Sequence, residues 1–252
     1  MASGWQPKGR LGRVVNEIEE TAIAVILGLM TLITFVNVVF RKLSGWTWLR
    51  EREAAWGIDI PDSLIWGQEA VLILFAWLVM FGVSYAVKVT AHLGVDALVN
   101  ILPPKVRRAV ALVAVTACVI FALLLFKGGW DAFANFANLP KTTGRIIPTG
   151  FEEMRLQDYK GYRPTVQIPF PEWARGPIEG WLLLDGDPPF EKLPIVFPYL
   201  IYPIGTGLLL YRYLQAAVGI LRGEREGLIV SHEAEDAIAD LEKARDPLAK
   251  ES

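Results

Sequence analysis

The sequence is poor in the residue types on which most metal, haem and disulfide chemistry depends. It contains one cysteine, Cys118, and two histidines, His92 and His232, in 252 residues. A single cysteine excludes an internal disulfide framework and a cysteine-based metal site, and two histidines are too few for a haem-bearing helical bundle, which needs axial pairs. The formal net charge is only −2, so the composition does not favour nucleic acid as a partner. We therefore expect no cofactor and no nucleic-acid binding.

Long apolar stretches are what the sequence has in abundance. Hydrophobic residues make up 53% of the chain, and four stretches of about 18 to 27 residues carry no charge until Arg212, near the end of the fourth. At 1.5 Å per helical residue, each stretch is long enough to cross a hydrocarbon layer of about 30 Å. The sequence therefore predicts an all-α integral membrane protein with four transmembrane helices. The stretches are Thr21–Phe40, Ala70–Val87, Ala109–Phe126 and Ile195–Leu221.

The spacing of these stretches favours a single membrane domain over residues 1–252. The basic start of the chain does not indicate a cleaved signal peptide, because acidic residues follow it, the apolar run is too long and no small-residue cleavage site ends it. We therefore expect the first helix to be retained. The predicted spans cover about residues 20–41, 67–88, 107–127 and 195–221, with a loop over 128–194 and a polar tail over 223–252.

Lysine and arginine in the short loops predict the orientation of the chain in the membrane. If the N-terminus is cytoplasmic, nine basic residues beside the spans lie on the inner side and four lie in the first outer loop. This difference predicts that both termini are cytoplasmic. The loop over 128–194 then lies on the outer side of the membrane.

Three segments outside the spans have a predictable structure. The first outer loop, Leu43–Trp66, contains four tryptophans. Because tryptophan rings prefer the headgroup layer of a membrane, we expect this loop to lie on the outer surface of the bilayer. On the inner side, the apolar spacing in His92–Leu102 predicts a short amphipathic helix that ends before Pro103. A cytoplasmic helix is also predicted after Ser231, which is followed by acidic residues in the first turn.

The connection Lys127–Pro194 is long and is rich in both proline and aromatic residues. Its nine prolines forbid long helices and central strands. Its tryptophans and phenylalanines are too numerous for a disordered linker, which has few aromatic residues to bury. We therefore expect an ordered, irregular cap that packs on the outer ends of the helices.

Small and polar residues recur in the first apolar stretch at steps of three and four. We interpret them as one stripe along the first helix, because a neighbouring helix uses such residues for close packing and interhelical hydrogen bonds, whereas lipid does not. Two interpretations of the stripe are equally good: contact with other helices of this chain, or contact with another subunit. The members are Gly28, Thr31, Thr34, Asn37 and Arg41.

Glu69 is an acidic residue at the outer start of the second helix, beside Trp66 and Gln68. Three environments fit it: hydration, pairing with Arg50 or Arg52, or burial against a partner. A catalytic acid would need a second titratable group in a pocket, and no other predicted helix supplies one. We therefore do not expect an enzyme, and we assign Glu69 to the candidate subunit interface.

The fourth stretch contains several helix-breaking residues, namely Pro198, Pro203, Gly205 and Gly207. Paired broken helices can form substrate sites in transporters, but the other stretches have no matching break and the chain has no internal repeat. We therefore expect a simple kink and no complete transport pathway within this chain.

Ten short segments, in a fixed order along the chain, carry a resemblance to a known family. They are Thr34–Arg41, Trp66–Glu69, Gly82–Lys88, Ala91–Asp96, Leu102–Pro103, Arg107–Arg108, Leu193–Tyr199, Pro203–Gly205, Arg212–Gln215 and Ser231–Asp236. In these segments the chain resembles the small, four-helix permease subunit (DctQ type) of tripartite ATP-independent periplasmic (TRAP) transporters. The order of the segments is far more specific than any one of them.

The resemblance implies a fixed scaffold that binds a large permease subunit, which holds the substrate and sodium sites and moves like an elevator. It also implies a location in the bacterial inner membrane, organic acids as substrates and a soluble periplasmic protein that delivers them. The tail after Ser231 resembles members that serve C4-dicarboxylate systems. The alternative is a scaffold or assembly subunit of another inner-membrane complex.

On this interpretation the long loop faces the compartment of the binding protein. Glu152, Glu153 and Arg155 are then candidate docking residues, because charges at the rim of an interface chiefly alter the rate of association. A cap that only stabilises its own helices is an equally good interpretation of the loop.

Overall fold

The computed structural model describes residues 10–46, 63–88, 103–154, 164–184 and 186–222. Within these ranges, four helical segments are long and apolar enough to cross a membrane, which confirms the predicted all-α membrane fold. A 3₁₀ turn at Glu172–Ala174 directly precedes the helix that begins at Arg175. In chain order, the elements are α1 (Arg10–Leu43), α2 (Ile65–Lys88), α3 (Pro104–Ala137), β1 (Thr142–Thr143), β2 (Gly150–Phe151), β3 (Thr165–Pro169), α4 (Arg175–Leu182), β4 (Lys192–Pro194), α5 (Val196–Tyr199) and α6 (Ile201–Leu221).

The helix α3 extends beyond its apolar run, into the stretch that the sequence predicts as loop. An ion pair one turn apart supports this extension, with Lys127 Nζ 2.8 Å from Asp131 Oδ2. The extension also buries Phe133 and Ala137 in the core beneath the loop. The helix ends at Ala137, and the next residue, Asn138, has a left-handed φ of 53° that is typical of a residue just past a helix C-terminus.

The spans pack in the spatial order α1, α2, α6, α3, so that α6 has a neighbour on each side and α1 lies at one edge. Ile26, Phe81 and Ile201 form a buried cluster where α1, α2 and α6 meet. The close approach of α3 to α6 depends on Gly129, because a Cβ there would lie 3.1 Å from the carbonyl oxygen of Tyr202. Small residues at such contacts let the backbones of membrane helices approach each other.

The fourth span is divided into α5 and α6, with a short interruption at Leu200. Pro198 lies in the first turn of α5 and Pro203 in the first turn of α6, where the missing N–H group is not needed for the helix. Leu200 keeps nearly helical dihedral angles (φ −54°, ψ −25°), so the direction of the chain is preserved. The described residues of α1, α2 and α3 contain no matching interruption.

The described part of the long loop forms an ordered cap, as the sequence predicts. It contains two antiparallel strand pairs, β1 with β2 and β3 with β4, and the helix α4. Phe136 of α3 meets Tyr199 of α5 edge-on, with ring centroids 4.3 Å apart. The core of the cap combines side chains from α3, the loop and α5, namely Phe133, Ala137, Phe170, Leu182, Phe190 and Val196.

The bundle has two ends with different chemistry. The loop end carries Asn37, Glu69 and Lys127, and the charged end carries Glu19 and Lys88. Several predicted features lie outside the described residues. They are the amphipathic helix at 92–102, the helix after Ser231, most of the tryptophan-rich first loop, and Arg155.

Candidate subunit interface

The helix α1 is the most exposed of the four spans. Only 6% of its most apolar segment is buried in this chain, whereas the value for the fourth span is 39%. The apolar side chains of Leu32 and Phe35 are more than half exposed. In a membrane, lipid or another subunit must cover such a surface. The outward side of α1 is therefore a candidate contact surface.

The members of the predicted stripe do not all lie on one side of α1. Consecutive helical residues are rotated by about 100°, so three successive steps of three residues turn the surface by about half a circle. Gly28 is exposed, and a Cβ there would meet no atom within 4 Å. Asn37 faces α2 instead. The stripe therefore turns from the outside of the chain at Gly28 to the inside of the bundle at Asn37.

Thr31 and Thr34 lie between these two positions and are exposed. Each hydroxyl donates a hydrogen bond to its own helix, Thr31 Oγ1 to the carbonyl oxygen of Leu27 at 2.9 Å and Thr34 Oγ1 to that of Met30 at 2.8 Å. Because these donors are already satisfied, the threonines can pack against another helix without a polar penalty. The residues Gly28, Thr31 and Thr34 form what we name the outer face of α1. Arg41 is also exposed, but it lies one helical turn after Asn37 and is rotated from it by only about 40°.

Asn37 holds two helices of this chain together. Its Oδ1 atom accepts a hydrogen bond of 3.0 Å from the backbone N–H of Leu64, which immediately precedes α2. The first N–H groups of a helix lack partners within it, so a side-chain oxygen near them stabilises the start of α2. The buried Gly67 lies close by, since a Cβ there would be 3.9 Å from Asn37 Nδ2. Asn37 is thus a contact within the chain.

Glu69 anchors the cap to α2. Its Oε2 atom accepts a hydrogen bond of 2.5 Å from the backbone N–H of Gln167 in β3. The side chain of Gln167 in turn accepts a hydrogen bond of 2.7 Å from Lys192 Nζ in β4. The carboxylate therefore contacts the long loop of its own chain, an environment that the sequence did not suggest. Arg50 and Arg52, the two cations considered for it, lie outside the described residues.

Of the three candidate docking residues, the structure describes two. Glu152 and Glu153 follow β2 and are exposed on the cap. The backbone N–H of Glu152 donates to the carbonyl oxygen of Lys141 at 2.8 Å, which ties the segment to the start of β1. These two carboxylates therefore stand on an ordered part of the loop end, accessible to a soluble protein.

A buried ion pair joins α1 to α6, and the sequence did not predict it. Arg212 Nη2 donates to Glu19 Oε2, and both side chains are only 1% exposed. Arg212 Nη1 also donates to Gln215 Oε1 at 3.0 Å, and the Gln215 side chain donates to the Tyr211 hydroxyl at 2.9 Å. The pair was not predicted because Glu19 precedes the predicted first span, whereas α1 begins at Arg10 and carries Glu19 into the bundle. A lone arginine in one apolar stretch and acids at the start of another could have signalled this pair.

Two further contacts join the helices at the charged end. Lys88 Nζ of α2 lies 2.6 Å from Glu20 Oε1 of α1. Arg108 of α3 donates to the carbonyl oxygen of Leu221 at 2.8 Å, where the last carbonyl groups of α6 lack partners within the helix. A cation at this position also interacts favourably with the negative end of the helix dipole. Charged side chains thus connect each helix at this end to another.

The described polar residues of the spans chiefly make contacts between helices and with the cap. No group of three or more histidine, cysteine, aspartate or glutamate side chains in the described ranges could hold a metal ion. The buried carboxylate of Glu19 is ion-paired with Arg212. What the arrangement can do chemically is pack, donate hydrogen bonds and form ion pairs, which suits a subunit that assembles with others.

The sequence is similar to known proteins over nearly its whole length. Residues 30–151 match the DctQ component of the tripartite ATP-independent periplasmic transporters. A C4-dicarboxylate TRAP transporter small permease protein, DctQ, from Vibrio cholerae is 34% identical over 241 residues, which cover 96% of this chain and 86% of that protein. Proteins of the same description from Pseudomonas aeruginosa and Rhodobacter capsulatus are 29% and 25% identical, and the alignments cover 90% and 91% of this chain and 94% and 91% of those proteins.

No solved structure matches this chain. The relationship to the Vibrio cholerae protein covers the four spans and the loop between the third and fourth, so it applies to the membrane domain as a whole. The chain therefore belongs to the DctQ component family of the tripartite ATP-independent periplasmic transporters.

Proposed function

We propose that this chain is the small membrane subunit of a sodium-coupled, binding-protein-dependent TRAP transporter that imports organic acids, and that these are C4-dicarboxylates. The observation that carries the proposal is the 34% identity to the Vibrio cholerae protein over 96% of this chain. The relatives from Pseudomonas aeruginosa and Rhodobacter capsulatus have the same printed description. The alternative, an assembly subunit of another inner-membrane complex, has no such support.

Within the transporter, we assign this chain the role of a fixed scaffold for a large, elevator-type permease subunit. The polar groups of its spans support this role, because they hold helices of the chain against each other. Asn37 binds the start of α2, and Glu19 pairs with Arg212 of α6. A moving transport domain would instead need polar groups that line a substrate path. The substrate and sodium sites then belong to the large subunit.

The outer face of α1 is our candidate surface for that large subunit. Gly28 leaves room for the backbone of a neighbouring helix, and Thr31 and Thr34 have satisfied hydroxyl groups. Such small residues are typical of helix contacts in membranes. The exposed Arg41, at the loop end of α1, is a further candidate for this contact, on the side of the helix towards Asn37. Asn37 and Glu69 support this surface from inside the chain, by positioning α2 and the cap.

We place the chain in the bacterial inner membrane with both termini in the cytoplasm and the cap in the periplasm. This orientation follows from the excess of lysine and arginine on the side that carries the termini. The exposed Glu152 and Glu153, together with Arg155, then face the periplasmic substrate-binding protein. Cysteine probes test this orientation in a Cys118→Ser background: Glu153→Cys reacts with an impermeant maleimide in intact cells, and Arg222→Cys reacts only after the membrane is opened.

Affinity purification of the tagged chain from native membranes in mild detergent tests the assignment. We expect a large, multi-span permease subunit to co-purify. Gly28→Leu should reduce the yield of that partner, because a Cβ at Gly28 meets no atom of this chain within 4 Å and the larger side chain would hinder the close approach of another helix. Gly82→Leu in α2 is the matched control, because a Cβ at Gly82 also meets no atom within 4 Å. A partner yield unchanged by Gly28→Leu rules out the outer face of α1 as the contact.

Charge reversal tests the docking residues. Glu152→Lys with Glu153→Lys should slow capture of the loaded binding protein at low salt, and the effect should fade at high salt because rim charges act through long-range attraction. Assembly with the large subunit serves as the control and should be unchanged. If the charge-reversed variant and the unmodified chain capture the binding protein equally fast at low salt, the cap has only a structural role.

A further inference from the structure

A β-hairpin folds back along the outer half of α3. Its strands pair Thr142 with Phe151 and Thr143 with Gly150. The hairpin is tied to the helix at its base, where Asp131 Oδ1 accepts a hydrogen bond of 2.8 Å from the backbone N–H of Thr142. Its turn requires Gly144, which has a φ of 88° and where a Cβ would lie 2.3 Å from the carbonyl oxygen of Ile147. The hairpin is therefore a built element with a defined position on α3.

A groove of about 950 Å³ separates this hairpin from α3. The volume lies within the roughly 300–1,000 Å³ that sites for small molecules occupy. The α3 wall and the hairpin wall are both apolar over most of their area. Lys127 and Thr142, which are polar, lie at the upper rim and both bind Asp131. The apolar walls include Ile120, Leu123 and Leu124 of α3 and Ile147, Pro148 and Phe151 of the hairpin.

The lower part of the groove lies at the depth of membrane hydrocarbon. Between Arg108 and Lys127, α3 has a run of 18 uncharged residues, which spans about 27 Å at 1.5 Å per residue. This length is close to the hydrocarbon thickness of about 30 Å. Ile120 and Leu123 belong to this run, in its half nearer the loop end. The groove therefore opens into the membrane leaflet at the loop end.

The hairpin has the surface expected of a segment in contact with lipid. Near its tip, Ile146 and Ile147 are 63% and 73% exposed, and Phe151 of β2 is 64% exposed. Exposure of such side chains to water is unfavourable by about 25 cal/mol per Å² of apolar surface, a cost that is absent in hydrocarbon. Arg145, directly before them, is exposed. Its guanidinium group has the donor geometry that binds a phosphate group through two hydrogen bonds.

We propose that this groove is a phospholipid site, in which one hydrocarbon chain lies between α3 and the hairpin and Arg145 binds the phosphate of the headgroup. The competing occupant is a transmembrane helix of a partner subunit. Helix contacts in membranes use small residues that let backbones approach, whereas the α3 wall carries the large side chains of Ile120, Leu123 and Leu124. The phospholipid fits both the apolar walls and the cation. The site does not depend on which way the chain crosses the membrane or on the transporter assignment.

Photolabelling of the purified complex tests the proposal. The complex is reconstituted in phosphatidylcholine vesicles that contain a trace of phosphatidylcholine with a photoactivatable diazirine on one acyl chain, and adducts are mapped by mass spectrometry. We expect adducts to be enriched on Leu123, Ile147 and Phe151 relative to Val113 of α3 and Phe75 of α2. Both reference residues are exposed apolar side chains outside the groove, so they report ordinary surrounding lipid.

Arg145→Gln tests the headgroup contact. This substitution should lower labelling in the groove by roughly two- to fivefold, as for the loss of an exposed ion pair, and leave labelling of Val113 unchanged. Arg222→Gln, at an exposed arginine of the charged end, is the control and should change neither. Equal labelling of groove and reference residues, groove labelling that Arg145→Gln leaves unchanged, or a groove shielded from label by a partner subunit would each overturn the proposal.

Discussion

The loop end and the charged end hold the same helices together by different means. At the loop end, contacts are numerous and mostly apolar, with Phe133 and Phe170 buried in the cap and a few hydrogen bonds such as that of Asn37. At the charged end, α1 is joined to α6 by the buried pair of Glu19 and Arg212 and to α2 by the half-exposed pair of Glu20 and Lys88.

Apolar packing distributes its free energy over many weak contacts. In a buried ion pair, the free energy depends on two residues, because removal of one partner leaves the other charge buried without compensation. Loss of one partner of the buried pair at the charged end should therefore be the most destabilising single change, whereas single substitutions at the loop end or at the half-exposed pair should each cost less. The following four variants test that difference, in order of decreasing expected effect.

Arg212→Met should be the most disruptive change, because it leaves the carboxylate of Glu19 buried and unpaired. We expect a loss of about 3–5 kcal/mol in the free energy of unfolding, measured by denaturant titration of the full chain in detergent. The double variant Glu19→Met with Arg212→Met should recover most of the loss, since a hydrophobic pair can replace a buried ion pair at little cost. Arg222→Met, at an exposed arginine, is the matched control and should have almost no effect. A double variant as unstable as the single one would contradict the ion-pair explanation.

Leu182→Ala should loosen the cap without separating the spans. Leu182 is 3% exposed, at the centre of the cap core, and we expect a loss of about 2–3 kcal/mol, in the lower part of the range for buried leucines because the small cap can partly collapse around the cavity. Hydrogen exchange should rise in α4 and β3 while that of α2 stays the same. Leu184→Ala, at a leucine that is 53% exposed, provides the comparison. Exchange that rises equally in the cap and the spans would show that the two ends unfold together.

Glu69→Ala should release β3 from α2. The hydrogen bond to the backbone of Gln167 is exposed, so we expect a loss of about 1 kcal/mol. The direct readout is faster exchange of the Gln167 amide hydrogen. Gln68→Ala, at the exposed neighbouring residue, should leave that exchange rate unchanged. If both variants behave alike, Glu69 does not anchor the cap.

Glu20→Gln should have the smallest effect of the four. Its partner Lys88 is buried but Glu20 is 48% exposed, and exposed ion pairs contribute about 0.2–1 kcal/mol. The loss should shrink as salt is added, because salt screens exposed charges. Glu17→Gln, at an exposed acid one turn earlier, serves as the reference. A loss near that of Arg212→Met would mean that the two charge pairs act as one unit.

Much of the fold could be predicted because membrane hydrocarbon imposes a simple rule on the sequence. Four apolar runs of sufficient length predict four spans, and the structure has four within its described ranges. The combination of prolines and aromatic residues in Lys127–Pro194 likewise predicts an ordered cap. The end of α3 could not be predicted this way, because its last turns are stabilised by the pair of Lys127 and Asp131 and by tertiary burial of Phe133.

The contacts of single polar residues were harder to predict. Gly28 and Asn37 belong to one series of three-residue steps. Each step leaves a rotation of about 60°, so three steps place the two residues on opposite sides of α1. Glu69 finds its partner in the backbone of β3, which no side-chain pattern reveals. The pair of Glu19 and Arg212 joins residues 193 positions apart, and its detection requires knowledge that α1 and α6 are neighbours.

The measurement that most directly tests the central claim is sodium-driven uptake of a C4-dicarboxylate into proteoliposomes, with each component omitted in turn. Vesicles with this chain, the large permease subunit and the binding protein should accumulate the dicarboxylate when a sodium gradient is imposed. Vesicles with this chain alone should show none, and vesicles that lack only this chain should lose uptake, because the large subunit then has no scaffold. Uptake by this chain alone, or full uptake without it, would contradict its assignment as the small scaffold subunit.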